Sequence, residues 1–469
     1  MKRREFSISP DCWLAIAFAI LILTAQAIAA GPKEKVLHSL EGSDGAYPLG
    51  TLLFDKSGNL YGPAPEGAPP VENGTVFQLS PPGHNDGGWK ETTIYNFGGD
   101  GDGASPYAGL IADKNGNLYG TTRNGGSFGA GTVFQLTPPA APGGSWTETV
   151  LYTFPGGSGG SLPNGLVLDK KGNLYGTTFW GGNNCDPYGL PCGTVFELTP
   201  PTTRGKGWTK TVIYRFQNPR DGYWPFAGLV VDDQGNLYGT TIDGGEYTAG
   251  GLILARASDA GIPRPFIPIA AGADGTVFQL TPPRTRDGAW TKTLVHSFGS
   301  GNDGSNPYGA LILDKNGYLY GTTYFGGSST SCGFRSESCG TVFRLQPPSK
   351  PGGAWTETVL TSFLSGSRNG ANPYASVVFD NQGNLYGTTN FGGTTIAGSC
   401  NYGCGVVFKL TPPVSKRGPW SETVLHRFLN GQDGAYPVAG LILDEQGNVY
   451  GTTEFGGSAG LGTIFEIIP

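Results

Sequence analysis

The acidic side chains are the first place to look for chemistry in this chain. An Asp recurs at Asp55, Asp113, Asp169, Asp232, Asp314, Asp380 and Asp444, each three residues ahead of a Gly and six ahead of a Tyr. An oxygen-rich stretch such as Asp113-Lys114-Asn115-Gly116-Asn117 resembles a calcium loop. Its third position runs through Ser57, Asn115, Lys171, Gln234, Asn316, Gln382 and Gln446, and no Glu downstream closes a site. An Asp that caps a hairpin turn accounts for all seven copies, so no metal and no cofactor is expected. A second Asp-Gly set, Asp44, Asp102, Asp221, Asp303 and Asp433, becomes Asn369 in one copy and is missing between Gly156 and Leu162. Turn formation is again the simpler account, with ligand binding as its rival. Catalysis needs residues that break the sevenfold sameness, and those are Glu66, Asp243, Glu246 and Glu454. A glycosidase requires two carboxylates ~5–10 Å apart. The first and last repeats adjoin in a closed ring, so Glu66 and Glu454 are the pair to consider, at a distance the sequence does not give; the alternative is that these are solvated loop acids. His38, His296 and His426 share a position with Tyr95, Tyr152, Tyr214 and Thr361, which reads as a half-exposed strand site rather than a base. No Ser-His-Asp arrangement, phosphate loop or metal cluster is evident.

Aromatic residues are the stronger lead. Trp180, Phe325, Phe391 and Phe455 stand directly before Gly-Gly pairs, with Phe179 and Tyr324 beside two of them. Tyr47, Tyr107, Trp224, Phe226, Tyr308, Tyr374 and Tyr436 flank a recurrent Pro. Flat, partly polar rings gathered on one surface suit stacking on sugars or peptides. The alternative is that they pack loops onto the tops of the strands.

Six cysteines fall in local pairs, Cys185 with Cys192, Cys332 with Cys339, and Cys400 with Cys404, each ahead of a Gly-(Thr/Val)-Val-Phe segment. An even count in tight pairs predicts three loop-pinning disulfides. The spacing does not match a zinc knuckle, and no His lies nearby. Residues 1–30 read as a cleaved signal peptide: Lys2, Arg3 and Arg4, an apolar run from Trp13 to Thr24, then Ala25-Gln26-Ala27-Ile28-Ala29-Ala30. An uncleaved anchor is the alternative, and Cys12 precedes the apolar run, where a lipoprotein cysteine would not lie. The expectation is therefore a secreted, periplasmic or cell-surface protein with no membrane span in the mature chain.

The elements that must carry these residues follow from the repeat. The tyrosines of the Asp-x-x-Gly phrase are Tyr61, Tyr119, Tyr175, Tyr238, Tyr320, Tyr386 and Tyr450. The unit starting at Pro106 shows the plan. Ala108–Asp113 is a short apolar strand, Asn117–Thr122 a second, Gly131–Leu136 a third, and Trp146–Phe154 an alternating fourth. Gly (80) and Pro (36) punctuate these strands, and the recurring aromatics distinguish the chain from disordered sequence of similar composition. Seven units of four strands predict an all-β, seven-bladed β-propeller of antiparallel blades spanning 31–469. Val36–Leu40 is left as a lone rim strand that would complete the last blade and close the ring. An insertion at 250–275 in the fourth unit is rich in Ile and Pro, and would form an apolar arm over one face or stay without a role.

The phrase Asp-x-x-Gly-Asn-Leu-Tyr-Gly-Thr-Thr-x-x-Gly-Gly, followed by Gly-Thr-Val-Phe-x-Leu-Thr-Pro-Pro, resembles the GloVer-type tandem repeat of exported bacterial proteins. The resemblance covers essentially everything after the signal region. It implies an exported repeat protein, and the family is described by its repeat and surface anchors, not by an activity. The sequence closes on the strand Gly462–Pro469, so attachment to the cell through such an anchor is not expected here. More loosely, the Asp-x-x-Gly-Asn-Leu-Tyr rhythm is similar to propellers of the NHL and streptogramin-lyase kind, although no matching His constellation supports lyase chemistry.

A net charge of −6 with no basic run argues against nucleic acid or anionic lipid as partners. The leading expectation is a monomeric module that binds extracellular glycan or cell-wall polymer. Its site would include Tyr107, Trp180, Trp224, Tyr308, Phe325, Tyr374, Phe391, Tyr436 and Phe455. A polysaccharide-active hydrolase or lyase and an adhesive scaffold for surface proteins are the alternatives.

Overall fold

The computed structural model describes residues 31–469 except 68–71, 84–86, 142, 184–189, 204, 247–251, 255–267, 271–273, 286–287, 300–301, 330–331, 333–337, 351, 365–368, 397–399 and 416–417. The expected signal segment, Cys12, Cys185 and most of the insertion therefore lie outside the described residues. Seven four-stranded antiparallel sheets form a seven-bladed β-propeller. In the first blade the order is Leu53–Phe54, Leu60–Ala64, Thr75–Ser80 and Lys90–Asn96, from hub to rim. The last blade takes Ile442–Leu443, Val449–Thr453 and Thr463–Ile468 from the end of the chain, and its rim strand, Lys33–Ser39, from the start. That pairing runs from Lys33 opposite Ile468 to Ser39 opposite Thr463, so the ring closes as expected and the third strand is left with no open edge.

The repeat phrase is a set of instructions for one hairpin. Asp55 Oδ1 accepts the backbone N–H groups of Ser57 (2.8 Å) and Asn59 (2.9 Å). Its other oxygen accepts the Asn59 side-chain amide (2.7 Å) and the Tyr61 hydroxyl (3.1 Å). The same Tyr-to-Asp bond recurs in all the other blades, at Tyr119, Tyr175, Tyr238, Tyr320, Tyr386 and Tyr450. The Asp carboxylates thus serve the turn.

The strand that follows, Leu60–Ala64 in the first blade and Leu-Tyr-Gly-Thr-Thr in most others, is buried along its whole length, because both its faces pack on other blades. Its Gly is required by the third strand: a Cβ on Gly62 would lie 2.5 Å from Cζ of Phe77. Rim strands such as Thr147–Thr153 alternate exposed and partly buried residues, as expected for one wet face.

Adjacent blades are clasped by the first Thr of that strand. Thr121 donates to Asn164 O, Thr177 to Ala227 O, Thr322 to Ala375 O and Thr388 to Ala439 O. Thr452 of the last blade donates across the closure to Pro48 O at 2.9 Å. Cys332–Cys339 and Cys400–Cys404 are disulfide-bonded, with Cα atoms 5.3 and 5.2 Å apart. Within the insertion, Leu252–Leu254 pairs antiparallel with Pro268–Ala270. Among the described residues no helix is long and apolar enough to cross a membrane.

Candidate functional site

The irregular loops gather at one end of the ring, opposite the Asp turns, and a repeated strain shapes them. The residue before each loop Pro has a left-handed backbone: Tyr47 (φ 57°), Ser105 (56°), Leu162 (53°), Trp224 (59°), Asn306 (54°), Asn372 (57°) and Tyr436 (55°). For bulky L-residues this conformation is unfavourable and persists only where the surroundings enforce it. Here two backbone hydrogen bonds do so. Tyr436 N–H donates to Cys404 O, and Tyr436 O accepts from Glu454 N–H; Asn372 does the same with Cys339 O and Asn390 N–H.

The residue after the Pro turns toward the axis. Tyr107, Phe226, Tyr308 and Tyr374 come from blades two, four, five and six, yet their rings meet. Phe226 packs edge-on against Tyr107 (6.0 Å), Tyr308 (5.7 Å) and Tyr374 (5.8 Å), and Tyr308 stacks on Tyr374 at 5.0 Å. Contacts between non-adjacent blades place this cluster at the channel axis.

The expected ligand-binding rings therefore divide. Trp224, Tyr308, Phe325, Tyr374 and Phe391 are buried, and the Trp224 indole N–H donates to Pro191 O at 3.0 Å. Trp180 is 38% exposed, while Tyr107, Tyr436 and Phe455 are half-buried. Tyr436 and Phe455 line a groove of about 690 Å³ with Asn430, Gln432 and Gly457. Phe455 also borders a smaller cavity of about 60 Å³, shared with Tyr47, Leu49, Pro65, Glu66 and Glu454. The rings of Tyr47, Phe455 and Tyr436 form a continuous run, with centroids 5.3 and 5.9 Å apart.

The candidate acids divide as well. Glu66 and Glu454 come together in the small cavity because blades one and seven adjoin. Glu454 is buried, and Glu66 is partly covered. Asp243 is buried in the fourth blade, where its carboxylate accepts the Gly244 N–H at 2.8 Å, and Glu246 is exposed nearby. The described residues hold no group of three His, Cys, Asp or Glu able to bind a metal ion.

The second Asp set binds the rim. Asp44 accepts His38 Nε2 (2.6 Å) and Glu41 N–H (2.8 Å), and Asp102 accepts the Tyr95 hydroxyl (2.8 Å) and two loop N–H groups. Asp303 and Asp433 pair with His296 and His426, each at 3.3 Å, and Asp221 with the Tyr214 hydroxyl. His and Tyr interchange because either donates to this carboxylate. Where the Asp is Asn369, the strand residue is Thr361. Burial pushes the Asp44 carboxyl up, but the His38 and backbone hydrogen bonds outweigh it and hold the group below its ordinary value.

One position is more informative in the structure than in the sequence. The residue after Thr-Thr (Pro63-Ala64 in the first blade), at the inner edge of the mouth, is Pro65, Arg123, Phe179, Ile242, Tyr324, Asn390 and Glu454 around the ring. Blades three to five supply an apolar arc there, and blades six, seven and two supply amide, acid and guanidinium. The signal was present in the repeat as the first residue of the variable pair that precedes Gly-Gly in most copies. Its inward direction was not.

The family model described as the Gloeobacter/Verrucomicrobia repeat matches residues 26–154 and 269–465. No curated protein matches the chain. Among solved structures, an ulvan lyase of polysaccharide lyase type PL25, bound to a glucuronate–sulfated rhamnose unit, is 11% identical over 87% of this chain and 97% of its own, with a TM-score of 0.42. A luciferin-regenerating enzyme is 12% identical over 94% and 96%, with a TM-score of 0.42. A gluconolactonase from Xanthomonas campestris is 15% identical over 77% and 88%, with a TM-score of 0.36. None of these likenesses bears on what the chain does.

Proposed function

Since the chain belongs to the Gloeobacter/Verrucomicrobia repeat family, built here as a seven-bladed propeller, we propose that it is an exported module that binds glycan at the loop face. The observation that carries this reading is the groove beside blade seven, where Tyr436 and Phe455 present half-buried rings among the polar side chains of Asn430 and Gln432. Its volume of about 690 Å³ falls in the ~300–1,000 Å³ range of small-ligand sites, and an aromatic floor with a polar rim suits a sugar ring. Export is supported by the basic, apolar and small-residue segments of 1–30 and by two close disulfides, which persist in oxidising compartments. The protein acts as a monomer in this reading. Trp180 adds an exposed ring at another point of the same face.

Hydrolysis is the second reading, because Glu66 and Glu454 share a cavity. At about 60 Å³ that cavity holds a few waters, not a sugar, so binding is favoured over cleavage.

A glycan array and polysaccharide pull-down on the mature chain test the proposal, with Phe455→Ala alongside. Retention of a polysaccharide that Phe455→Ala binds at least about tenfold more weakly, at unchanged melting temperature, is the expected result. A wild-type chain that retains no glycan overturns it. Product release from a bound polymer, lost in Glu454→Gln, would replace binding with hydrolysis.

A further inference from the structure

Buried polar side-chain atoms without hydrogen-bond partners are few in native proteins, and each calls for an explanation. In this molecule several converge on the channel mouth. Arg123 is 2% exposed, and its Nε and Nη1 have no partner. Asn390 is fully buried with both amide atoms unpaired, and Asn372 leaves its Oδ1 unpaired while its amide donates to Tyr324 O.

Arg123 is the most demanding of these. Its guanidinium carbon lies 5.1 Å from the centroid of Tyr107, 5.6 Å from Phe226 and 5.8 Å from Phe179. The neighbours that act on it electrostatically, Tyr107 and Tyr374, are neutral, and burial lowers its basicity. No blade needs a cation here, since the other six fill the position with Pro65, Phe179, Ile242, Tyr324, Asn390 and Glu454. Ring faces attract a cation but do not replace the hydrogen bonds that a planar, five-donor fork loses when it leaves water. An oxyanion does, through paired N–H donors in a dry setting.

We propose that the channel mouth recognises the anionic group of an acidic sugar, a carboxylate or a sulfate ester, through Arg123. The inference rests on the glycan-binding reading and names the ligand class. Asn390 and Asn372 of blade six hold a further unpaired donor and two unpaired acceptors for the hydroxyl groups of the same ligand. Tyr107, the half-buried wall of the Arg123 box, keeps part of its surface in contact with solvent. With a net charge of −6 the chain has no general attraction for polyanions, so recognition is local and only weakly salt-dependent.

The test uses matched polymers with the mature chain and isothermal titration: polygalacturonate and its carboxyl-reduced form, carrageenan and its desulfated form. Wild type is expected to bind one acidic polymer about tenfold more tightly than its neutral counterpart, the ratio one charge-assisted pair gives. Arg123→Met, which keeps the stem between the rings, should abolish that preference, bind the neutral form as wild type does, and melt no lower. If Arg123→Met does not fold, the wild-type polymer pairs still decide, and Arg123→Lys should keep only part of the preference. Equal affinity for acidic and neutral forms overturns the inference and leaves glycan binding standing. Binding to none of the four, with no neutral glycan retained on the array, overturns both. Carboxylate and sulfate are separated by which pair shows the preference.

Discussion

A charged side chain on each rim strand faces the preceding blade, a Lys in blades three and four and a Glu in the others. Lys292 meets Asp221 at 2.7 Å with its ammonium 5.3 Å from the ring centroid of Phe216, whereas Glu34 and Glu357 face His–Asp pairs across the blade gap. Lys210, where the loop Asp is missing, donates to Gly159 O, and burial lowers its pKa to about 8. Burial raises Glu357 to about 7, with His296 lowering it and Asp303 raising it. Glu148 reaches about 7 by burial and the nearby Asp102. In the unfolded chain such a carboxyl titrates near 4.5, so the fold holds the proton over a window in which the unfolded chain has lost it. Stability from this source is complete below that window and is lost as pH rises from about 4.5 to about 7. Glu357→Gln should therefore gain about 1 kcal/mol over wild type at pH 8 and nothing near pH 4, the half-exposed position reducing the full effect. Urea unfolding at the two values checks it, and an equal gain at both would point to packing instead.

At the scale of the strand and its turn, the sequence was legible because each conspicuous residue has a local duty. The Asp caps its own hairpin, the Tyr docks on that Asp, and the Gly makes room for a Phe one strand away. Asp380→Ala should remove hydrogen bonds to Gln382, Asn384 and Tyr386 together and cost about 2–3 kcal/mol, measured by chemical denaturation. A cost below about 0.5 kcal/mol would mean that the turn is set by Gly383 alone. The candidate site was far less legible. A Tyr beside a Pro reads the same whether its ring faces solvent or the channel axis, and the contacts that decide come from other blades. Tyr308 and Tyr374 stack on one another, yet their place directly after a Pro is also that of half-buried Tyr107. The left-handed residue before each Pro left no trace either, because Tyr, Ser, Leu, Trp and Asn all occupy it.

For the whole molecule, the decisive feature is that ring closure uses side chains from both ends of the chain. Leu37 and Leu40 sit in one buried cluster with Leu60, Phe77 and Ile464, and Thr452 reaches Pro48 O across the same seam. Other blade junctions are made by segments close in sequence, whereas this one brings together residues some 400 positions apart and carries the largest loop-closure entropy. The seam is thus where a weakened ring should open first. Thr452→Val keeps the shape but leaves Pro48 O without its donor, at an expected cost of about 1 kcal/mol. Removing residues through Leu40 is harsher. It takes two buried leucines from the core, worth ~3 kcal/mol or more, and bares the edge of Thr463–Ile468 to other chains. The truncated chain should melt well below wild type and associate on size exclusion, while Thr452→Val stays monomeric. If the truncated chain instead remains monomeric with an unchanged melting temperature, the first six blades hold the ring without its seam, and closure contributes little to stability.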